Sequence, residues 1–164
     1  MSLPAVGDLA PDLALPDGDG TIHRLADQHG RWTVLYFYPT DDTTGCTTEA
    51  CGFRDANDVI RERGADIWGI SPQGAESKRA FRDKYSLTFP LLTDADHAVA
   101  TAYDSWVEKR NYGKTYMGIA RRTFLIGPDG RIAHVWPKVK PEGHAAQVLA
   151  ALDEAQGAGR SFAG

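Results

Sequence analysis

Trp32-Thr33-Val34-Leu35-Tyr36-Phe37-Tyr38-Pro39-Thr40-Asp41-Asp42-Thr43-Thr44-Gly45-Cys46-Thr47-Thr48-Glu49-Ala50-Cys51-Gly52-Phe53-Arg54 is the stretch on which the reading of this chain turns. Its first six residues form an unbroken run of β-branched and aromatic side chains, the composition of a central strand buried on both faces. Pro39, which has no N–H to donate, ends that strand. Beyond the polar loop, Ala50, Phe53 and Ile60 recur at helical spacing from Cys46. The spacing predicts a helix from about Gly45 to Arg63, stopped at Gly64. A buried strand, a short loop and a long helix make the opening of a βαβ unit.

Upstream, the short apolar pieces Leu13–Leu15 and Thr21–His23 flank Pro16-Asp17-Gly18-Asp19-Gly20, which predicts an N-terminal β-hairpin. Downstream, Asp66–Ser71 reads as a strand and Ala75–Tyr85 as a helix with Phe81 and Tyr85 on one face. Leu91-Leu92 reads as a short strand, followed by helical turns through Ala95–Tyr103. Thr123–Ile126 and Arg131–Trp136 flank Gly127-Pro128-Asp129-Gly130, a strong hairpin signal. Gly143–Ala155 carries Ala146, Leu149 and Leu152 on one helical face, and residues 156–164 look like a loose tail. The order βαβα then ββα implies an α/β sandwich whose central sheet mixes parallel and antiparallel strands and is flanked by helices.

At 164 residues, 42% of them hydrophobic, the chain fits a single domain, residues 1–164, able to bury a sizeable core. A net charge of -4 with scattered basic residues argues against a nucleic-acid partner. The N-terminus shows no signal-peptide pattern, and no run approaches the ~18 apolar residues of a membrane span. The expectation is a cytoplasmic protein. In that reducing compartment the two cysteines are expected to serve as free thiols rather than as a permanent bridge.

Three readings of the pair stand open: chemistry, half of a metal site, or two inert core residues. A single C-x4-C without a second ligand pair supports zinc poorly, because His97, His134 and His144 are not spaced as one. Cys46 falls in the first turn of the predicted helix, where unpaired N–H groups favour a thiolate. Asp41, Asp42 and Glu49 oppose this if they point inward, so a cation from elsewhere is needed. Arg54 and the Arg121-Arg122 pair are the candidates. A disulfide within an intact helix fails on geometry, since residues i and i+5 place their Cα atoms roughly 8.6 Å apart, beyond the ~7 Å bridging limit. If the two cysteines bond, the helix start must melt. Thr47, Thr48 and Gly52 weaken that segment, although Gly52 has the alternative reading of close packing.

Pro39-Thr40-Asp41-Asp42-Thr43-Thr44-Gly45-Cys46 matches the P-x3-T-x2-C signature of peroxiredoxins, and Thr47–Asp55 resembles the peroxiredoxin Q, or bacterioferritin comigratory protein, subfamily. Gly69-Ile70-Ser71-Pro72, Phe89–Asp94 and Gly118–Ile126 resemble further family segments in the same order. The resemblance implies a thioredoxin-like fold and an antioxidant thiol peroxidase acting on hydrogen peroxide and organic hydroperoxides, with no cofactor or metal. It implies that Cys46 is the peroxidatic cysteine, oxidised to sulfenic acid, and Cys51 the resolving one. Their intramolecular disulfide would be reduced by thioredoxin or a similar dithiol protein. It further implies that Thr43 contacts thiolate and peroxide, that Pro39 shields the site, and that Arg121 completes it. Gly45 and Glu49 support, Glu49 either bridging to that arginine or simply placing a carboxylate in the first helical turn. Strand alternation lets only one of Arg121 and Arg122 face the site. Thr44 departs from the proline usual in the family, and Gly127 from an acidic residue. Because the disulfide would lie within one chain, a monomer is expected. The alternative function is a redox-sensing binding protein using the same cysteines as a conformational switch; a disulfide oxidoreductase is disfavoured for want of C-x2-C.

Overall fold

The computed structural model describes residues 3–161, with side chains described through residue 157. The first hairpin forms as a separate two-stranded antiparallel sheet, β1 (Ala14–Pro16) and β2 (Ile22–Arg24). A 3-10 turn at Leu25–Gln28 then leads into β3 (Trp32–Phe37). β3 is followed by α1 (Thr44–Glu62), β4 (Ala65–Ser71), α2 (Ala75–Tyr85), β5 (Leu91–Thr93) and the short α3 (Ala98–Ala102). The chain continues through β6 (Trp106–Asn111), β7 (Lys114–Ile119), β8 (Arg122–Ile126) and β9 (Ile132–Trp136) to α4 (His144–Ser161).

Five strands make the central sheet in the order β5-β4-β3-β8-β9. β3, β4 and β5 run parallel, while β8 is antiparallel to both β3 and β9, giving the mixed sheet of a thioredoxin-like fold. The crossovers from β3 to β4 and from β4 to β5 step in the same direction, so the right-handed rule places α1 and α2 on one face. On that face Val34, Tyr36 and Tyr38 meet Phe53 and Ile60 of α1, Phe81 of α2 and Val148 of α4. On the other face Leu35 and Phe37 meet Phe124, Ala100, Tyr103 and the N-terminal Leu13. One strand with period-2 alternation thus supplies the centre of two cores. Tyr36 needs a gap to do so: a Cβ on its strand partner Gly69 would lie 2.8 Å from the Tyr36 hydroxyl oxygen.

Three expectations change. Residues 156–161 continue α4 rather than forming a loose tail, held by Gln156 Nε2 donating to the Arg63 carbonyl at 2.6 Å and by the Arg63–Asp153 ion pair. The last three residues, 162–164, lie outside the described residues. The β6–β7 ribbon has no counterpart in the sequence reading; it turns through Tyr112 and Gly113 at φ 52° and 75°. The helical reading of Ala95–Tyr103 shortens to Ala98–Ala102.

Candidate active site

Cys46 lies on the buried side of the first turns of α1 and is 1% exposed. The Arg121 guanidinium reaches it, with Nη2 donating to Sγ at 3.2 Å and Nη1 donating to Glu49 Oε1 at 2.7 Å. Arg121 sits just ahead of β8, where the register pairs Arg122 with Phe37. Cross-strand partners share a face, so Arg122 follows Phe37 to the far side of the sheet and Arg121 turns to the thiol. Gly45 makes the approach possible, because a Cβ there would stand 3.2 Å from Arg121 Nη2 and 3.4 Å from Pro141 Cγ. A guanidinium donor and a helix N-terminus therefore converge on one sulfur, and both stabilise negative charge there.

Each neighbouring carboxylate has its own cation. Asp41 is paired with Lys78 at 3.0 and 3.1 Å and receives Ser77 Oγ at 2.7 Å and the Tyr38 hydroxyl. Asp42 receives Lys84 Nζ at 2.8 Å and the Tyr85 hydroxyl at 2.7 Å, and these hold its carboxyl below the usual range. Glu49 is 1% exposed; burial pushes it up to about 7 against the opposing pull of Arg121. Its Oε2 has no hydrogen-bond partner, nor does the buried Tyr36 hydroxyl. Burial likewise lowers Lys78, with Asp41 opposing the shift.

Cys51 is half-buried five positions along the same unbroken helix, and both cysteines are free thiols. Thr43 is the N-terminal cap residue, extended at φ -88° and ψ 161°, and its hydroxyl donates to the Thr40 carbonyl at 3.1 Å rather than to Cys46. Pro39 is half-buried above the strand end, and its carbonyl accepts Gln73 Nε2 at 3.2 Å. Arg54 is directed to Asp55 and to the Tyr85 carbonyl, so Arg121 alone of the candidate cations meets the thiol. Phe37 and Trp106 pack in the opposite core, whereas Tyr36 and Tyr38 share the face of Cys46. His144 is a buried support, its Nε2 2.8 Å from Thr123 Oγ1 and its Nδ1 3.0 Å from Gln147 Oε1.

Lys78 and Gln73 escaped the sequence reading, and Ser71 entered it only as a strand end within a family-like segment. Ser71 Oγ lies 2.6 Å from Gln73 Oε1 and also meets Lys78 Nζ, so this group ties the loop after β3 to the end of β4 and the start of α2. A signal for Lys78 did exist: with Phe81 and Tyr85 it falls at i, i+3 and i+7, on the apolar stripe of α2.

The sequence pattern of the AhpC/TSA family matches residues 6–135. The chain is a peroxiredoxin of the AhpC/TSA family. This peroxiredoxin is 47% identical over 149 residues to peroxiredoxin Bcp of Bacillus subtilis (strain 168), covering 91% of this chain and 95% of that one. It is 45% identical over 148 residues to peroxiredoxin Bcp of Escherichia coli (strain K12), covering 90% and 95%. Among solved structures it resembles the bacterioferritin comigratory protein of Xanthomonas campestris, studied for its alkyl peroxide reduction activity. That likeness has TM-score 0.86 and 39% identity, over 94% of this chain and 99% of the other. The Bcp and peroxiredoxin Q relatives fix the subfamily of this peroxiredoxin, a two-cysteine peroxidase. No helix among its described residues is long and apolar enough to cross a membrane.

Proposed function

We propose that Cys46 is the peroxidatic thiol of this peroxidase, Arg121 its charge-stabilising donor, and Cys51 the thiol that resolves it. The observation that supports this most directly is the 3.2 Å contact from Arg121 Nη2 to the Cys46 sulfur at the head of α1. The Cys46 thiolate attacks the terminal oxygen of ROOH; an S–O bond forms, the O–O bond breaks, and the alkoxide leaves and takes a proton to become ROH. Donors already aimed at the reacting sulfur and oxygen lower that barrier. Arg121 and the backbone N–H groups of the first helical turn supply them, and Pro39 narrows the approach. On this reading the Thr43 hydroxyl leaves the Thr40 carbonyl to contact the bound peroxide. The thiol of Cys51 then displaces water from the Cys46 sulfenic acid, forming the disulfide.

The substrates on this reading are hydrogen peroxide and organic hydroperoxides, and the reductant is thioredoxin or a similar dithiol protein in the cytoplasm. A disulfide closed within one chain needs no second subunit, so the working form is a monomer. Mass spectrometry after one equivalent of peroxide tests the assignment: a Cys46–Cys51 bridge within one chain is expected. A fully active Cys46→Ser protein in a coupled thioredoxin assay would sink it.

A further inference from the structure

Disulfide formation on the reading above requires α1 to unwind between its two cysteines, and the chain is fastened just outside them on both sides. Upstream, Asp42 adopts the left-handed conformation at φ 60°, and its carboxylate accepts the Tyr85 hydroxyl at 2.7 Å and Lys84 Nζ at 2.8 Å. Downstream, Phe53 stacks on Tyr36 at 4.8 Å, and Arg54 Nη1 donates to the Tyr85 carbonyl at 2.8 Å. One turn later Asn57 Nδ2 donates to Thr88 Oγ1 at 2.9 Å. Tyr85 therefore meets the chain on both sides of the cysteine pair, through its hydroxyl on one side and its carbonyl on the other.

Tyr85 is itself well anchored. Its ring meets Phe81 edge-on at 5.6 Å, and Lys84 Nζ lies 5.3 Å from the ring centre. It closes α2, with Ser86 left-handed at φ 52° and the Leu87 N–H bonded to the Arg82 carbonyl at 2.9 Å. Within the intervening segment the side-chain ties are of another kind. Thr43 and Thr48 bond carbonyls three and four residues back, and Glu49 and Cys46 share the Arg121 guanidinium. The local ties break when the helix unwinds, and Cys46 gives up its own bond to Arg121 when it leaves, while Glu49 keeps a separate one.

We propose that Tyr85 is a positioning residue for the resolving step, its hydroxyl and carbonyl posting the two ends of the segment Thr43–Gly52 so that unwinding is confined between them. The proposal rests on the assignment of Cys46 and Cys51 made above. A segment held at both ends gains less conformational freedom on unwinding than one with a free end. The posts thus slow the first excursion of Cys46 toward Cys51. They also return the segment to register beneath Arg121 once the disulfide has been reduced.

Tyr85→Phe removes one post and keeps the ring and the carbonyl. After one equivalent of hydrogen peroxide, rapid quenching and mass spectrometry should show Cys46 sulfenic acid converting to disulfide about fivefold faster than in the parent, the effect of one hydrogen bond near 1 kcal/mol. Over-oxidation to sulfinic acid at excess peroxide should fall correspondingly, and the second-order rate of the peroxide step should stay within about twofold. In the reduced protein, amide exchange should quicken over residues 43–52 and not beyond Asn57. Asp42→Gly keeps the positive φ while deleting the acceptor of both the Tyr85 hydroxyl and Lys84 Nζ, so it should quicken the disulfide step at least as much as Tyr85→Phe does. An unchanged disulfide rate in Tyr85→Phe, or equal slowing of both steps, overturns the proposal alone. A parent protein that forms no Cys46–Cys51 disulfide overturns it together with the assignment beneath it.

Discussion

Arg121 bonds two partners at once, the Cys46 sulfur and the Glu49 carboxyl, which only a forked guanidinium can do from one fixed position. Arg121→Lys keeps a positive charge but cannot hold both the sulfur and Glu49, so the second-order rate with peroxide should fall by about 10²-fold. Stopped-flow oxidation under single-turnover conditions reads this directly. Glu49 adds a pH dependence. Its carboxyl moves from 4.5 to about 7 in the folded chain, so between those values the folded state keeps a proton that the unfolded state has lost. Stability should therefore fall as pH rises through that window, by at most about 3 kcal/mol, and level off above it. Thermal unfolding from pH 5 to 8 checks the slope, which should flatten in Glu49→Gln; an identical slope in the variant would assign the effect elsewhere. These two residues also mark the reach of the sequence. The loop signature singles out Cys46, Pro39 and Thr43 as candidates, but whether Glu49 bridges to arginine depends on a register 72 positions away, which no local pattern encodes.

At the scale of elements, α1 carries a weak point in the right place. A Cβ added at Gly52 would sit 3.7 Å from Ala145 Cβ, an ordinary contact, so packing alone does not demand glycine there. Gly52→Ala should stabilise the helix by about 1 kcal/mol and slow the sulfenic-acid-to-disulfide step about fivefold, with more sulfinic acid at high peroxide. Quenched-flow mass spectrometry and equilibrium unfolding measure the two effects separately. Elements with apolar periodicity were legible from sequence: β3 and α2 fall where the patterns of Trp32–Phe37 and Ala75–Tyr85 put them. The β6–β7 ribbon was not. Its Glu108-Lys109-Arg110-Asn111 strand lies outside the main sheet with both faces partly exposed, so no alternation marks it. α4 outlasts its apolar stripe because Arg63, at the far end of α1, accepts from Gln156 and pairs with Asp153.

For the molecule as a whole, Lys78 and Asp41 form an ion pair shielded from solvent, 1% and 2% exposed at the side chain. Removing one partner strands the other, so Lys78→Met should cost on the order of 3–5 kcal/mol in urea unfolding, and Asp41→Asn in the same chain should recover part of it. The pair lies on the sheet face that also holds α1 and α4, so its loss should reach the peroxide step as well as stability. The contact between Arg121 and Cys46 carries a consequence for the life of the chain before it folds. The two residues lie 75 positions apart and meet only after β8 has docked on β3. A nascent chain emerging from the ribosome, or one loosened by heat, presents Cys46 without its guanidinium and outside a helix start, as an ordinary thiol. Reactivity toward peroxide thus arrives with the finished sheet, which protects the unfinished protein from irreversible oxidation and makes peroxide turnover a measure of how much of a preparation is correctly folded.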